Sequence, residues 1–131
     1  MSTNSLIAIK NENGNVTSIY CHWDGYLEFN GLILLQEYTT TDKVNNLIKN
    51  GDLSSLGTLV DPIDDMDETK DSVCCYYFRD RKESWGDVRP QTYNNIEEWI
   101  EFAGREYNYL FDNGKWYLVT ETEITALEDL L

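Results

Sequence analysis

The single histidine of the chain, His22, stands two residues before Asp24 in the stretch Ile19-Tyr20-Cys21-His22-Trp23-Asp24-Gly25-Tyr26. A carboxylate beside an imidazole can fix the tautomer of the ring and leave one ring nitrogen as a base or an acceptor. Cys21 cannot pair with His22 in this way, because successive side chains of a strand point to opposite faces. The pattern permits a general base, a ligand contact, or a half-exposed strand residue beside a turn.

A second group that could do chemistry is a basic cluster in an otherwise acidic chain. It holds four of the ten basic residues: Arg79, Arg81, Lys82 and Arg89. Guanidinium groups bind phosphate through paired N–H donors, and Trp23, Tyr26 or Trp85 could stack on a base. The candidate site for a nucleotide-like small ligand therefore consists of His22, Asp24, Tyr26, Arg79, Arg81, Lys82 and Arg89. In the alternative interpretation these basic residues only balance charge, as the alternation Arg79-Asp80-Arg81 allows.

The segment from Thr58 to Ser72 is predicted to be an acidic surface loop. Its candidate partner-binding residues are Asp61, Asp64, Asp65, Asp67, Glu68 and Asp71. A calcium-loop register that starts at Asp65 places Lys70 where an EF-hand has glycine, and Tyr76 where it has glutamate. We therefore predict no metal site here, and the loop is either simply solvated or an interaction surface.

The net charge of −14, from 24 acidic and 10 basic residues, limits the classes of partner. Direct nucleic-acid binding is disfavoured because phosphate contacts need Lys and Arg, whereas a protein with a basic surface is attracted. High solubility is the simpler explanation of the same charge. No apolar run approaches the ~20 residues of a membrane span. The N-terminus lacks the features of a signal peptide, and three cysteines fit reduced, buried thiols, so we expect a cytoplasmic protein.

A strand hairpin is expected to carry His22. Leu6–Asn11 and Val16–Asp24 read as its two strands, around an Asn-Gly turn at Asn13 and Gly14. Alternation along the second strand puts Ile19, Cys21 and Trp23 on the core face. It puts Tyr20, His22 and Asp24 on the opposite face. This pattern predicts that Trp23 is buried.

The remaining elements predict a single α+β domain over residues 1–131. Helices are expected from Leu27 or Asn30 to Tyr38, from Asp42 to Asn50, from Asn94 or Asn95 to Ala103, and from Glu123 to Leu130. Val73–Phe78 is apolar on both faces and predicts a central strand. A second hairpin is predicted at Tyr107–Phe111 and Lys115–Thr120. Together these elements predict an antiparallel sheet of about five strands, with helices packed mainly on one face.

Several runs of the chain resemble a family of small proteins of unassigned function from bacteriophages and related mobile elements. They are Ser5-Leu6-Ile7-Ala8, the stretch from Ile19 to Tyr26, Gly31, Leu34–Tyr38, Asn50–Gly57, Arg79-Asp80-Arg81 and Asn113-Gly114-Lys115-Trp116. The resemblance implies a phage origin, and it supplies no catalytic residues.

The charge and this resemblance together lead us to expect a non-enzymatic phage accessory protein. It would bind and inhibit a host factor, such as a defence or nucleic-acid-processing system, in the host cytoplasm through its acidic surface. The alternative is a protein that binds a signalling nucleotide. An enzyme with His22 as general base is a third hypothesis, although a Gly-rich phosphate loop and a nucleophile elbow are both missing from the sequence. No cofactor and no catalytic residue are predicted, and the oligomeric state stays open.

Overall fold

The computed structural model of the protein describes residues 2–61 and 72–131. Within these residues eight strands form one mixed sheet. The strands are β1 Ser5–Lys10, β2 Val16–Cys21, β3 Leu53–Ser55, β4 Cys75–Tyr76, β5 Gln91–Tyr93, β6 Tyr107–Asp112, β7 Lys115–Val119 and β8 Ile124–Ala126. The helices are α1 Leu32–Glu37, α2 Thr41–Ile48, α3 Trp85–Val88 and α4 Ile96–Ala103. A π-helical turn, Leu27–Gly31, leads into α1, and a 3-10 turn, Leu127–Asp129, follows β8.

The order of strands across the sheet is β4-β3-β2-β1-β6-β7-β8, and β5 pairs with β2. The hairpins β1–β2 and β6–β7 are antiparallel, as predicted. However, β1 runs parallel to β6, and β2 runs parallel to β3 at Cys21 and Leu53. The prediction of about five antiparallel strands is therefore wrong in strand number and direction, whereas the α+β class is confirmed. Local periodicity indicates that a segment is a strand, but it does not indicate its partner.

Apolar side chains fill both faces of the sheet. One face of β1, with Ile7 and Ile9, packs against α1 and α2, and Tyr109 and Phe111 of β6 join it. The other face buries Trp99 of α4 in a cluster with Leu6, Ala8, Val16, Leu110 and Val119. Helices thus cover both faces of the sheet, where the sequence predicted mainly one.

Helix α4 ends at Ala103 as predicted, and α2 lies within two residues of the predicted bounds Asp42 to Asn50. Thr40 caps α2 by accepting a hydrogen bond from the backbone N–H of Lys43 at 3.2 Å. Asn95 caps α4 by accepting one from Glu98 at 2.8 Å. Both caps satisfy a backbone donor that a helix start leaves free. None of the helices in residues 2–61 and 72–131 combines the length and apolarity needed to cross a membrane.

Two predicted elements are wrong. Val73–Phe78 is not a central strand, because only Cys75–Tyr76 joins the sheet, as a short strand at its edge, and Val73 forms an isolated bridge with Leu59. Its apolar character reflects Tyr76, which is buried and donates a hydrogen bond from its hydroxyl to the Leu47 carbonyl at 2.6 Å. The predicted helix Glu123–Leu130 is instead strand β8 and a single 3-10 turn.

Trp23 is 44% exposed, so its predicted burial is also wrong. Ile19 and Cys21 do point into the core, as predicted. Strand β2 ends at Cys21, however, and Asp24 adopts a left-handed backbone with φ of 59°. The alternation of a strand cannot be extended past its last paired residue.

Candidate functional site

His22 follows β2 directly, and a hydrogen-bond relay holds its ring. Its Nδ1 lies 2.8 Å from the hydroxyl of Tyr20, and that hydroxyl donates to Oδ1 of Asn4 at 2.9 Å. A carboxamide oxygen only accepts, so the single proton of the Tyr20 hydroxyl goes to Asn4. His22 therefore donates its Nδ1–H to Tyr20, and the neutral ring carries its lone pair on Nε2. Tyr20, rather than the predicted Asp24, sets the tautomer.

Asp24 and Tyr26 are not members of this hydrogen-bond relay. No hydrogen bond or ion pair joins Asp24 to His22 within the part of the chain that the structure describes. The Asp24 carbonyl accepts the backbone N–H of Asn30 at 3.1 Å. Tyr26 packs edge-on against Phe29, with 5.9 Å between ring centroids. The rings of Trp23 and His22 instead form a T-shaped pair, with 4.7 Å between their centroids.

Two ionisable side chains, Asp52 and Arg105, lie next to Tyr20. Asp52 accepts the backbone N–H of Tyr20 at 2.9 Å, and burial raises the pKa of its carboxyl to about 6. The guanidinium of Arg105 lies 5.5 Å from the Tyr20 ring centroid. Burial also raises the pKa of Tyr20, which keeps its hydroxyl protonated. We call Asn4, Tyr20, His22, Asp52 and Arg105 the Tyr20 cluster.

Of the five members of the Tyr20 cluster, only His22 was a candidate site residue from the sequence, and four were missed. Strand alternation placed Tyr20 on the same face as His22, which was the available signal. Asn4, Asp52 and Arg105 come from three other segments, and no local pattern ties them to this strand.

Arg79 has a structural role. Its Nη1 donates to the Val60 carbonyl at 2.7 Å and to the Asp61 carboxylate at 3.0 Å. Its Nη2 donates to the Cys74 carbonyl at 3.0 Å and to Asp80 at 3.1 Å, and its Nε also donates to Asp80. All five N–H donors are engaged, which leaves none for a phosphate.

The other three basic candidates are exposed. Arg81 stacks over the Tyr77 ring at 5.6 Å, Lys82 has a left-handed φ of 58°, and Arg89 follows α3. The ends of β2 and β4 lie level through Cys21, Leu53 and Tyr76, but β3 separates them. Within the described residues no hydrogen bond, ion pair or ring contact joins the candidates of 22–26 to those of 79–89. Their joint role in ligand binding stays a prediction.

The acidic loop lies mostly outside the described residues. Asp61 is described, and it pairs with Arg79. The other candidates, Asp64, Asp65, Asp67, Glu68 and Asp71, fall in the part of the chain that is not described.

The described residues contain an acidic surface that the sequence did not reveal. A groove of about 550 Å³ runs between α4 and the turn that joins β7 to β8. Its lining, which we call the acidic groove, consists of Ile96, Glu97, Ile100, Glu101, Val119, Thr120, Glu121, Thr122, Glu123 and Ile124. Four of these residues are aliphatic, four are glutamates, and none is Lys or Arg.

The geometry of the acidic groove follows from its two walls. On α4, Glu97 and Glu101 are four residues apart and so share one side of the helix, next to Ile100. The opposite wall is a tight turn in which Thr120 donates its backbone N–H to the Glu123 carbonyl at 2.9 Å. Ile124 remains 53% exposed beside that turn. The sequence did not predict this wall, because it assigned Glu123–Leu130 to a helix.

The four glutamates of the groove form no ion pair within the described chain. The ion pairs found there involve other residues: Lys10–Asp112, Arg79–Asp61, Arg79–Asp80 and Lys115–Glu128. An apolar floor with unpaired carboxylates at its rim is therefore open to a cationic, partly apolar occupant.

The chain was compared with protein families, curated proteins and solved structures. No protein-family model, curated protein or solved structure matches it.

Proposed function

We propose that this protein inhibits a host factor by binding a basic, amphipathic segment of that factor in the acidic groove. The observation that carries this proposal is the combination of an aliphatic floor with four glutamates and no cation in the lining. The net charge of −14 supports it, because the field of the whole molecule attracts a basic partner to the groove.

The occupant must satisfy both the floor and the rim. Apolar side chains spaced along one face of a helix can enter the groove between Ile100 and Ile124, in the manner of helix-in-groove recognition. Lys or Arg on the flanks of that helix then meets Glu97 and Glu101 on one wall, and Glu121 and Glu123 on the other. Burial of the apolar side chains supplies affinity, and the charges supply orientation and a fast association rate.

We expect binding to inhibit the partner because of the kind of segment that the groove would hold. Basic amphipathic segments commonly contact phosphates or acidic partners. A protein that holds such a segment against carboxylates keeps it from its own target. The resemblance to phage proteins favours a host protein as the partner.

The test uses a labelled amphipathic Lys/Leu helix peptide as the probe and fluorescence anisotropy as the readout. The groove variant carries Glu97→Gln, Glu101→Gln, Glu121→Gln and Glu123→Gln. The matched control carries Glu12→Gln, Glu28→Gln, Glu83→Gln and Glu106→Gln, which are exposed and outside the groove lining. Both variants change the net charge equally, so the general field is the same.

We expect the groove variant to bind the peptide roughly fourfold to several-hundredfold more weakly, since four exposed charge pairs of about 0.2–1 kcal/mol each sum to about 0.8–4 kcal/mol. The control should change the affinity by roughly threefold or less. Ile124→Ser should also weaken binding, because Ile124 is exposed and its loss spares the core. Equal losses in both glutamine variants would assign binding to net charge alone. In host extract, the wild type and the control should retain a protein that the groove variant loses.

A further inference from the structure

A second cavity of about 480 Å³ lies between α2, the turn end of the β1–β2 hairpin and Pro90. Its lining, which we call the amide cleft, consists of Ile9, Asn11, Thr17, Asp42, Asn45, Asn46, Ile48, Lys49 and Pro90. One aspartate and one lysine cancel, so the lining has no net charge in a chain of −14. The amide cleft is therefore not an extension of the acidic surface.

The floor of the amide cleft is apolar and fixed. Ile9 and Ile48 are buried there, as parts of the core between the sheet and α2. Pro90 adds a rigid aliphatic wall. Flat, uncharged surfaces pack well against such aliphatic groups.

Three carboxamides supply the polar groups of the cleft. Asn11 donates both N–H groups of its side chain, to Asn15 at 2.7 Å and to Thr17 at 3.0 Å. Its side chain is thereby held in place, and Oδ1 remains as an acceptor. The side chains of Asn45 and Asn46 make no hydrogen bond within the described residues, so each offers a donor and an acceptor side by side.

We propose that the amide cleft binds a nucleobase as part of a nucleoside. A carboxamide matches the adjacent donor and acceptor on the edge of a base, as Asn does for adenine. The aliphatic floor packs on the face of the ring, and a neutral lining suits an uncharged ligand. The volume falls within the range typical of small-molecule sites.

The two charged side chains of the cleft, Asp42 and Lys49, could contact the sugar and a phosphate of such a ligand. A carboxylate such as Asp42 accepts hydrogen bonds from ribose hydroxyls. Lys49 can meet a 5′-phosphate as a point charge. The cleft thus accommodates a nucleoside and gains affinity from a monophosphate. This site is independent of the acidic groove, since the two linings share no residue.

The test is a titration of the full-length, ¹⁵N-labelled protein with adenosine, cytidine and uridine, followed by NMR. Glucose serves as a neutral, hydroxylated control ligand. We expect shift changes confined to the side-chain amides of Asn45 and Asn46 and the backbone around Asn11, Thr17 and Lys49. A ligand of nucleoside size would bind with a Kd on the order of 0.1 mM.

The double variant Asn45→Ala/Asn46→Ala should bind at least tenfold more weakly. It should remain folded, because both residues lie on the outer side of α2 and alanine favours helix. Lys43→Ala, on the same helix but outside the cleft lining, should bind as the wild type does. Lys49→Ala should weaken the binding of adenosine monophosphate and leave that of adenosine unchanged.

Three results would overturn the proposal. They are the absence of shift changes with every nucleoside, equal changes with glucose, and wild-type affinity in the double variant. Shift changes that map to the acidic groove would likewise place the ligand elsewhere. None of these results affects peptide binding by the groove, which is measured separately.

Discussion

Asp52 makes the stability of the folded protein depend on pH. Burial raises the pKa of its carboxyl to about 6, against about 3.9 for an unfolded chain. The folded protein therefore holds this proton more tightly than the unfolded chain does. The contribution of Asp52 to stability is highest below about pH 4, falls as the pH rises through 6, and is lowest above that.

We expect Asp52→Asn to become progressively more stable than the wild type between pH 4 and pH 7. Asparagine keeps the oxygen that accepts the Tyr20 N–H, but it has no charge to desolvate. Urea unfolding at four pH values in this range measures the difference. A difference that stays constant from pH 4 to pH 7 would show that Asp52 keeps its ordinary pKa in the folded protein.

The relay also fixes the chemistry of His22. At a pH where the ring is neutral, Nδ1 should carry the proton, because the Tyr20 hydroxyl donates its only hydrogen bond to Asn4. Long-range ¹H–¹⁵N correlation spectra distinguish the two tautomers. Tyr20→Phe removes the acceptor and should raise the population of the Nε2–H form. A dominant Nε2–H tautomer in the wild type would mean that the relay is absent in solution.

At the scale of elements, the sequence predicts well where a local signal exists. Asn-Gly turns identified both hairpins, and the predicted starts of α2 and α4, at Asp42 and at Asn94 or Asn95, lie within one or two residues of the observed ones. Strands of two or three residues, such as β4 and β8, are too short for alternation to appear. The parallel contact between β1 and β6 depends on residues far apart in the chain, which no local pattern encodes.

The candidate site shows the same division. The stretch from Ile19 to Tyr26 pointed correctly to His22 as a side chain outside the core, with Tyr20 on the same face. The acidic groove escaped prediction because its two walls come from α4 and the β7–β8 turn, and the second wall was assigned to a helix. Charge composition indicated the kind of surface but not its position.

Two tryptophans differ in burial, and we expect their loss to differ in its effect on stability. Trp99 is fully buried under the sheet, whereas Trp23 is 44% exposed. Trp99→Ala should destabilise the protein by about 3–5 kcal/mol, since it empties a large buried site. Trp23→Ala should cost roughly 1 kcal/mol or less. Thermal or chemical unfolding of the two variants measures both values, and a similar loss in each would contradict the assigned burial.

Two glycines have nearly the same backbone φ but different surroundings. Substituting each by alanine therefore distinguishes the cost of backbone strain from the cost of a steric clash. Gly14 and Gly51 have φ values of 89° and 86°. A Cβ at Gly14 would meet open space, whereas one at Gly51 would come to 2.4 Å from the Val88 carbonyl oxygen. Gly14→Ala should cost about 1 kcal/mol from backbone strain. Gly51→Ala should cost clearly more and displace α3, which equilibrium unfolding will show; equal costs would mean that strain alone matters.

At the scale of the whole molecule, the charge of −14 makes the folded state repel itself. Salt shortens the Debye length from about 30 Å at 0.01 M to about 3 Å at 1 M, so it should relieve this repulsion. We expect the Tm to rise by roughly 3–6 °C between these limits, equivalent to about 1 kcal/mol. Parallel scans in NaCl and KCl control for ion-specific effects. A Tm that falls with either salt would indicate that specific ion pairs outweigh the net repulsion.

The position of β1 also determines when the chain can complete its fold. β1 pairs with β2 on one side, which follows within a few residues, and with β6 on the other, which begins only at Tyr107. During synthesis the hairpin can form early, but the second edge of β1 stays unpaired until β6 has emerged from the ribosome. Contacts of such long range slow folding. An open strand edge can meanwhile pair with other chains. One edge of the future central strand therefore has no partner until most of the chain has been translated.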